Sequence, residues 1–367
     1  MQLKGNRNSG GRWRKLRIFN QLYNFLSSVR LTIVLFVLIL ISCVTGTALL
    51  PVPVARLFIF SSIWFNVLLV FLISNVAFCF FPKIWRRKID LIFAGMIIFH
   101  LSFILLFIGI VYDSMFYFRG TIRLTEGETL NLADSRSYDH IEQGRFFERE
   151  RNLKMWIVLH KLVTGHKVNG KNMGVANEIS VGGREEVKRD FIYVINHLEY
   201  KGFKFYRARD GFSPLIVLRD RNGNVLYGAY SPLQSIREEN KKYLYVIGTA
   251  EAPGYIPFPQ DSILQQLFYL QAKYYPSPKN SRIGEVFFDV REIVSDDPED
   301  GKELFSGSAA LRERVSVGDY FLSMEEVRYW ASIDIRHNPG LPLIFTSLWI
   351  GFGGIILTTV ARLIKRK

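Results

Sequence analysis

Cysteine is almost missing from this chain of 367 residues, which contains only Cys43 and Cys79. Neither of them lies between residues 113 and 338. A disulfide-stapled module or a thiol–disulfide enzyme needs cysteine pairs, so both are excluded for that stretch. The HExxH, CxxC, GxSxG and Walker patterns are missing as well, which removes the usual sequence evidence for a hydrolase or a nucleotide-binding protein.

Acidic residues are nearly missing outside the same stretch. Residues 113 to 338 contain 31 Lys and Arg against 32 Asp and Glu, whereas the other 141 residues contain 16 basic side chains and one acidic side chain. The positive charge therefore flanks apolar runs. This distribution disfavours nucleic acid binding and favours a protein that spans a membrane and keeps its basic flanks in the cytoplasm.

Four uncharged apolar stretches are long enough to cross a hydrocarbon core about 30 Å thick. Basic residues precede the first stretch, separate the second from the third, and follow the fourth. These groups share one side only if both termini are cytoplasmic, so we expect the loop Pro51 to Arg56 and residues 113–338 outside. The sequence thus predicts a multipass α-helical membrane protein. The four stretches are Leu31 to Leu50, Leu57 to Phe81, Leu91 to Tyr112 and Leu341 to Ala361.

These runs divide the chain into four predicted parts. Residues 1–30 form a basic cytoplasmic N-terminus, 31–112 the first three transmembrane helices, 113–338 an extracytoplasmic domain, and 339–367 the fourth helix with a basic cytoplasmic tail. Within the first part, Ile18 to Val29 has apolar residues at helical spacing. This segment is either an interfacial helix on the cytoplasmic leaflet or an extension of the first span.

Short alternating apolar patterns replace the long runs between residues 113 and 338. They predict a large, mostly β domain inserted between the third and fourth helices. Asp220 to Asn224 contains an Asn-Gly turn and predicts a hairpin, while Ser262 to Ala272 is predicted as a helix. The predicted strands are Tyr117 to Thr125, Lys154 to Val163, Phe203 to Arg209, Leu215 to Leu218, Val225 to Tyr230, Tyr243 to Ile247, Glu285 to Val290 and Tyr320 to Arg328.

His100 is the one histidine inside the four apolar stretches. Ionisable groups are expensive inside a bilayer and by default suggest a function. A neutral imidazole offers one donor and one acceptor nitrogen. The residues alone leave three interpretations open: an axial ligand of haem iron, a proton relay, or a structural histidine bonded to Ser or Asn of a neighbouring helix.

The two cysteines lie at different predicted depths. At about 1.5 Å per residue, Cys43 is roughly 18 Å and Cys79 roughly 3 Å from the cytoplasmic end of their spans. A disulfide requires Cα atoms within about 7 Å, so we expect no bond between them. A small, buried, apolar-like side chain is the default interpretation for each.

Six groups of residues, taken in order, resemble one known family. They are Phe25 to Thr32 with Gly46 to Pro51, Asn75 to Phe81, His100 to Ser102 with Gly109, Gly120 to Glu128, Ile195 to Tyr206, and Pro339 to Pro342. The family is ResB, also called CcsB, of System II cytochrome c biogenesis, and the resemblance spans most of the chain. Val52 stands where the family usually has glutamine, which leaves open a divergent ResB-like paralogue.

The resemblance implies a membrane subunit that moves haem b to the outer face of the bacterial cytoplasmic membrane, in contact with lipid, together with a CcsA-type integral membrane partner. There, haem vinyl groups are joined to the CxxCH thiols of apocytochrome c, which a thioredoxin-like reductant indirectly keeps reduced. This chain lacks the partner's tryptophan-rich WGxxWxWD-like segment. We therefore expect a component of a cytochrome c synthase, or haem lyase, that is not catalytic alone.

The resemblance also implies a haem ligand, and the chemistry of haem adds further candidate residues. A histidine of the third helix is an intramembrane haem ligand in the family, and His100 occupies that place. Arg56 and Arg119, near the outer membrane boundary, are candidates for pairing with haem propionates or are ordinary interfacial side chains. Cys79 is a candidate thiol near the haem. The alternative function is a non-catalytic membrane scaffold or assembly subunit of a respiratory cytochrome complex.

Overall fold

The computed structural model describes residue 21 and residues 23–84, 90–183, 186–237, 243–247, 254–260 and 264–366. The chain divides into two compact units. The helical unit contains the described residues up to Phe118, the segment Glu142–Phe147 and the described residues from His337 onward. The β unit contains Arg119–Ile141 and the described residues of Glu148–Arg336.

Four helices in the described part of the chain are long and apolar enough to cross a membrane. They are α1 (Val29–Val44), whose span runs on through a π-helical turn to Leu49, α2 (Ile63–Ile84), α3 (Leu91–Phe116) and α4 (Leu341–Arg366). The prediction of four apolar helices is confirmed, and they suggest a membrane protein. Three short elements follow α1 and lead to α2: a π-helical turn Thr45–Leu49, a one-turn helix Val52–Ala55 and a second π-helical turn Arg56–Phe60.

The start of α2 differs from the prediction. The helix begins at Ile63 and not at Leu57. Ser62 acts as its N-cap, because the Ser62 hydroxyl accepts a hydrogen bond from the backbone N–H of Phe65 at 3.3 Å. The apolar run therefore contains a helix start that hydropathy alone does not reveal.

The C-terminal end of α3 is joined to the start of α4 through Asp113. Its carboxylate accepts hydrogen bonds from the backbone N–H of Gly340 at 3.1 Å and from Nδ2 of Asn338 at 3.3 Å. A carboxylate at this place suits the unpaired N–H groups and the positive dipole end of a helix. With Asp113 paired in this way, α3 continues past its predicted end at Tyr112.

The segment predicted as an interfacial helix, Ile18 to Val29, is described only in part, because residues 18–20 and Leu22 lie outside the described residues. Residues 23–26 are helical, and Ser27 and Ser28 interrupt the helix before α1 begins. Residues 23–26 thus do not continue α1 without a break. Their position at a membrane surface stays a prediction.

Glycines let α3 and α4 pack with their backbones in close contact. A Cβ atom at Gly354 would lie 2.8 Å from the backbone N of Phe99 and 2.9 Å from the carbonyl O of Gly95. A Cβ atom at Gly351 would lie 2.5 Å from Oγ of Ser102. Such small-residue contacts favour helix association in lipid, where the hydrophobic effect does not drive helices together.

The remaining described elements are mostly strands. A one-turn helix, Arg149–Asn152, and short 3₁₀ turns lie between them. The strands are β1 (Phe118–Thr125), β2 (Thr129–Asn131), β3 (Tyr138–Gln143), β4 (Trp156–Val163), β5 (Lys167–Val168), β6 (Lys171–Asn172), β7 (Ala176–Gly182), β8 (Val187–Ile192), β9 (Leu198–Tyr200), β10 (Phe203–Arg219), β11 (Val225–Tyr230), β12 (Gln234–Arg237), β13 (Tyr243–Val246), β14 (Ile256–Phe258), β15 (Phe268–Pro276), β16 (Gly284–Glu292), β17 (Glu303–Ala310), β18 (Arg314–Val317) and β19 (Tyr320–His337).

The described strands form two large sheets. They also form a four-stranded sheet and the two-stranded β5–β6 sheet. The seven-stranded sheet has the order β11-β10-β19-β1-β3, with β9 on β10 and β18 on β19. The six-stranded sheet has the order β12-β13-β15-β16-β17 with β14 on β15, and the four-stranded sheet is β2-β4-β7-β8. Ile216 and Leu322 of the first sheet share a buried core with Phe268 and Phe288 of the second. The two large sheets therefore pack face to face. This architecture fits the prediction of a mostly β domain.

Most strand predictions are confirmed. Phe203 to Arg209 and Leu215 to Leu218 belong to one long strand, β10, and each of the other six predicted strands overlaps an observed one. The Asn-Gly hairpin is confirmed as well, because β10 pairs with β11 and Gly223 has a φ of +86°.

The helix predicted over Ser262 to Ala272 is wrong at every described residue of that segment, and residues 264–267 are neither helix nor strand. Residues 268–272 belong to β15, which pairs with β14 and β16, while residues 261–263 lie outside the described residues. Phe268, Leu270 and Ala272 are all buried in the shared core. Burial at every second residue is the period of a strand and not of a helix.

We predict that Gly354→Ala lowers the melting temperature of the detergent-solubilised protein, because the added Cβ would meet the α3 backbone. Gly353→Ala is the matched control, since nothing lies within 4 Å of a Cβ at Gly353. Alanine in place of an unhindered helical glycine stabilises by about 1 kcal/mol, so the control should melt at the same or a higher temperature. Equal melting temperatures for the two variants would show that the helices do not pack through Gly354.

Candidate functional site

A cavity of about 280 Å³ lies between α1, α2 and α3. Five of its lining residues are phenylalanines, and the others include one imidazole, one thiol and one hydroxyl. An apolar pocket with a few polar groups is the usual form of a small-molecule site. The lining residues are Thr32, Phe36, Val76, Cys79, Phe80, Phe99, His100, Phe103 and Phe107.

The two ring nitrogens of His100 have different surroundings. Nδ1 lies 2.7 Å from the carbonyl O of Met96, one turn earlier on α3. A carbonyl can only accept, so Nδ1 carries the proton of the neutral ring and Nε2 keeps its lone pair. Among the residues that the structure describes, no group bonds to Nε2, and protein atoms do not enclose it. The imidazole thus has an unused electron pair at the cavity that it lines.

Aromatic side chains hold the His100 ring. Phe80 of α2 stacks on it with ring centroids 4.1 Å apart and planes 9° apart. Phe99 meets it edge-on, with centroids 5.6 Å apart, and itself packs on Phe103 at 4.9 Å. With Nδ1 held by Met96, these contacts limit rotation of the ring, so Nε2 keeps one direction.

Asn75, which is fully buried, connects the start of α1 to α2. Its Nδ2 donates to the carbonyl O of Leu26 at 2.7 Å and of Ser28 at 3.1 Å, and its Oδ1 accepts from the Thr32 hydroxyl at 2.6 Å. Leu26 and Ser28 flank the break before α1, and the Ser28 carbonyl also accepts from the backbone N–H of Thr32 at 3.2 Å. Asn75 thus joins α2 to the chain on both sides of this break. Thr32 also lines the cavity, and the Asn75 bonds therefore fix one of its walls.

Both cysteines are free thiols, as predicted. Cys79 lines the cavity together with His100. Its contact with a bound haem stays a prediction. Cys43 does not line the cavity and packs on an apolar cluster formed by Ile59, Phe65 and Leu69.

Arg56 and Arg119 are predicted to pair with haem propionates. Neither is among the described residues that line this cavity. Arg56 belongs to the π-helical turn before α2 and forms an ion pair with Glu142. Arg119 lies in β1, in the β unit, and is half-buried. Their pairing with propionates stays a prediction, and at Arg56 a propionate would compete with Glu142.

Two histidines of the β unit contact nearby side chains. Nε2 of His160 lies 2.7 Å from Oγ of Ser180, and burial, aided by the charge of Arg189, lowers the pKa of His160. His197 stacks on Tyr206 with ring centroids 4.8 Å apart. No group of three or more His, Cys, Asp or Glu that could hold a metal ion occurs in the described part of the chain.

The phenylalanines around His100 are not predicted as site residues. Nor is Asn75, whose hydrogen bonds fix one wall of the cavity. The chain has 30 phenylalanines, so composition does not distinguish the five that meet at this cavity. Helical spacing is the available signal, because His100, Phe103 and Phe107 follow one another at intervals of three and four residues.

A model of the ResB-like family matches residues 91–364. The match begins at the first residue of α3 and reaches the last turns of α4, so it includes His100 and covers more than half of the chain. No curated protein matches the chain significantly.

We predict that Asn75→Leu lowers the melting temperature of the protein in detergent. Leucine is close to asparagine in size but cannot pair with Thr32 or with the two carbonyls, and a buried polar group left unpaired costs about 1–3 kcal/mol. Ser74→Ala is the neighbouring control, because among the described residues the Ser74 hydroxyl bonds only to the carbonyl O of Val70 on its own helix. If both variants melt alike, Asn75 does not hold α1 to α2.

Proposed function

The chain belongs to the ResB-like family, and on this premise we propose that it is a membrane subunit of a cytochrome c biogenesis complex in which His100 holds haem b as a transported substrate. Family membership suggests a role related to cytochrome c biogenesis. The finer steps, which are haem binding, transfer to the outer face and cooperation with a CcsA-type partner, are the proposal.

The hydrogen-bonding state of the two His100 ring nitrogens is the main support for the proposal. Histidines that bind metals almost always donate their second ring N–H to a carbonyl, a carboxylate or water, which fixes the tautomer and makes the ligating nitrogen more basic. The bond from Nδ1 to Met96 meets this requirement and leaves Nε2 with a lone pair. An imidazole nitrogen in this state suits axial ligation of haem iron.

The size of the cavity supports a role for a second subunit. A cavity of about 280 Å³ is smaller than a porphyrin, so the phenylalanines beside His100 would cover only part of the plate. Phe36, which lines the cavity, remains 45% exposed. In the proposal, helices of the CcsA-type partner cover the rest of the haem, and neither subunit forms the complete site alone.

The proposed orientation follows the basic flanks. Both termini and the loop between α2 and α3 face the cytoplasm, and the β unit faces outward, as the positive-inside rule favours. Haem then leaves toward the side where apocytochrome c presents its reduced CxxCH thiols. We assign the joining of these thiols to the haem vinyl groups to the partner, because this sequence has no tryptophan-rich haem-binding loop.

We predict that His100→Ala lowers the haem content of the purified complex by one haem per chain, because alanine supplies no axial ligand. The variant should remain in the membrane with its partner, and added imidazole should restore part of the lost haem. The measurement is the ratio of Soret absorbance to protein after co-expression with the CcsA-type partner. His197→Ala is the control, since His197 stacks on Tyr206 in the β unit.

Cys79→Ser tests whether the thiol that lines the cavity takes part in binding the iron. If His100 is the axial ligand, the Soret maximum and haem content stay as in the wild type, because serine keeps the size of the side chain. Wild-type haem content in His100→Ala, or a ligand change in Cys79→Ser, contradicts the role of His100. A wild-type complex without haem favours the alternative, a membrane scaffold.

A further inference from the structure

A second cavity, of about 470 Å³, lies within the β unit. Its size is in the range of about 300–1,000 Å³ that is typical of small-molecule sites. Its lining includes an arginine, aromatic rings and hydroxyl groups: Arg209, Phe212, Tyr245, Ser281 and Tyr329, together with the apolar Leu162. The proposed role of His100 does not use this cavity.

Arg209 reaches the cavity from an irregularity in β10. The pairing of β10 with β19 shifts between Arg207 and Asp210, so that Ala208 and Arg209 together face Ser332. Such a β-bulge places an extra residue on one strand and redirects its side chain, and bulges are frequent beside binding sites. The bulge interrupts the regular pairing of β10 with β19, and it explains why the Arg209 side chain lines the cavity.

Glu126, which is 5% exposed, holds three parts of the cavity wall. Its carboxylate accepts hydrogen bonds from the backbone N–H of Leu162 at 2.8 Å and of Tyr329 at 3.3 Å. It also accepts from Nη2 of Arg282 at 3.0 Å, next to Ser281. The positions of Leu162, Ser281 and Tyr329 are thus fixed by one buried acid, and the wall is preorganised.

Aromatic rings and hydroxyls form the floor of the cavity. Phe212 packs on Tyr329 with centroids 5.1 Å apart and on Tyr245 with centroids 4.6 Å apart. The hydroxyls of Ser281 and Tyr329 lie 2.5 Å apart. The Arg282 guanidinium lies over the Tyr329 ring, with Cζ 4.8 Å from the ring centroid. A flat apolar group would contact the parts of these rings that line the cavity, and a polar group at its end would find a hydroxyl and a guanidinium.

The charges at the cavity leave one positive charge unmatched. Asp210, which also lines the cavity, forms an ion pair with Arg207, and Glu126 pairs with Arg282. No acidic side chain among the described residues pairs with Arg209. A single guanidinium is planar and binds a carboxylate through two parallel hydrogen bonds, whereas phosphate sites usually gather several cations or backbone N–H groups.

We propose that this cavity binds a small aromatic carboxylic acid, with its carboxylate on Arg209 and its ring against Phe212 and Tyr329. The Ser281 and Tyr329 hydroxyls bond to each other, so one of them has a free proton, and that hydroxyl then donates to the carboxylate. The chemistry that the site recognises is a carboxylate attached to a flat apolar body. This inference concerns the β unit and stands independently of haem binding at His100.

The test uses the full chain in lipid nanodiscs and 3-(4-fluorophenyl)propionate as the probe, followed by fluorine NMR. We expect saturable binding of the acid and at least about tenfold weaker binding of the corresponding amide, because the amide cannot form a charge-assisted pair with arginine. Arg209→Gln should weaken binding of the acid by a similar factor and leave binding of the amide unchanged.

Arg221→Gln is the matched control, because it removes one positive charge from an exposed turn of the same unit, where Arg221 pairs with Asp319. It should bind the acid like the wild type. The proposal is overturned by any of three results: no saturable binding of the acid to the wild type, equal affinity for acid and amide, or equal affinities of the two arginine variants. Melting temperatures of both variants establish that the comparison is made between folded proteins.

Discussion

An imidazole placed among apolar helices needs a partner for each ring nitrogen, because a bilayer core supplies no water to pair with them. In His100 the carbonyl of Met96 pairs with Nδ1, and the described residues leave Nε2 without a partner. A structural histidine would use Nε2 to bond Ser or Asn of a neighbouring helix. Asn75, the candidate on α2, instead bonds Leu26, Ser28 and Thr32. The arrangement therefore favours a ligand for Nε2 that the chain itself does not supply.

The helices around His100 form a support that holds this nitrogen in place. On one side of α3, glycines allow α4 to approach the backbone at Phe99. On the neighbouring side, Phe80 of α2 stacks on the imidazole, and Asn75 fixes α1 at Thr32. A ligand atom binds its metal better when its position is fixed in advance by the surrounding residues. The helical unit has this property, although its cavity is too small to enclose a porphyrin alone.

The sequence predicts those features that depend on local pattern. Continuous apolar runs identify the four helices, alternation identifies most strands, and Asn222-Gly223 identifies a hairpin. Pairings between distant residues, such as Arg56 with Glu142, are not visible in any local window. The helix prediction over the β15 segment fails for a related reason. Pairing with β14 and β16 determines the conformation of this segment more than its own propensity does. Likewise, the bulge that directs Arg209 depends on the register between β10 and β19.

We propose that Nε2 of His100 binds the iron of the transported haem. The distance between these two atoms can be measured in a structure of the haem-loaded complex with the proposed CcsA-type partner. We expect about 2 Å, the length of a metal–imidazole bond, with Nδ1 still bonded to Met96. Iron bound by other residues, with Nε2 of His100 hydrogen-bonded to a neighbouring side chain, would contradict it.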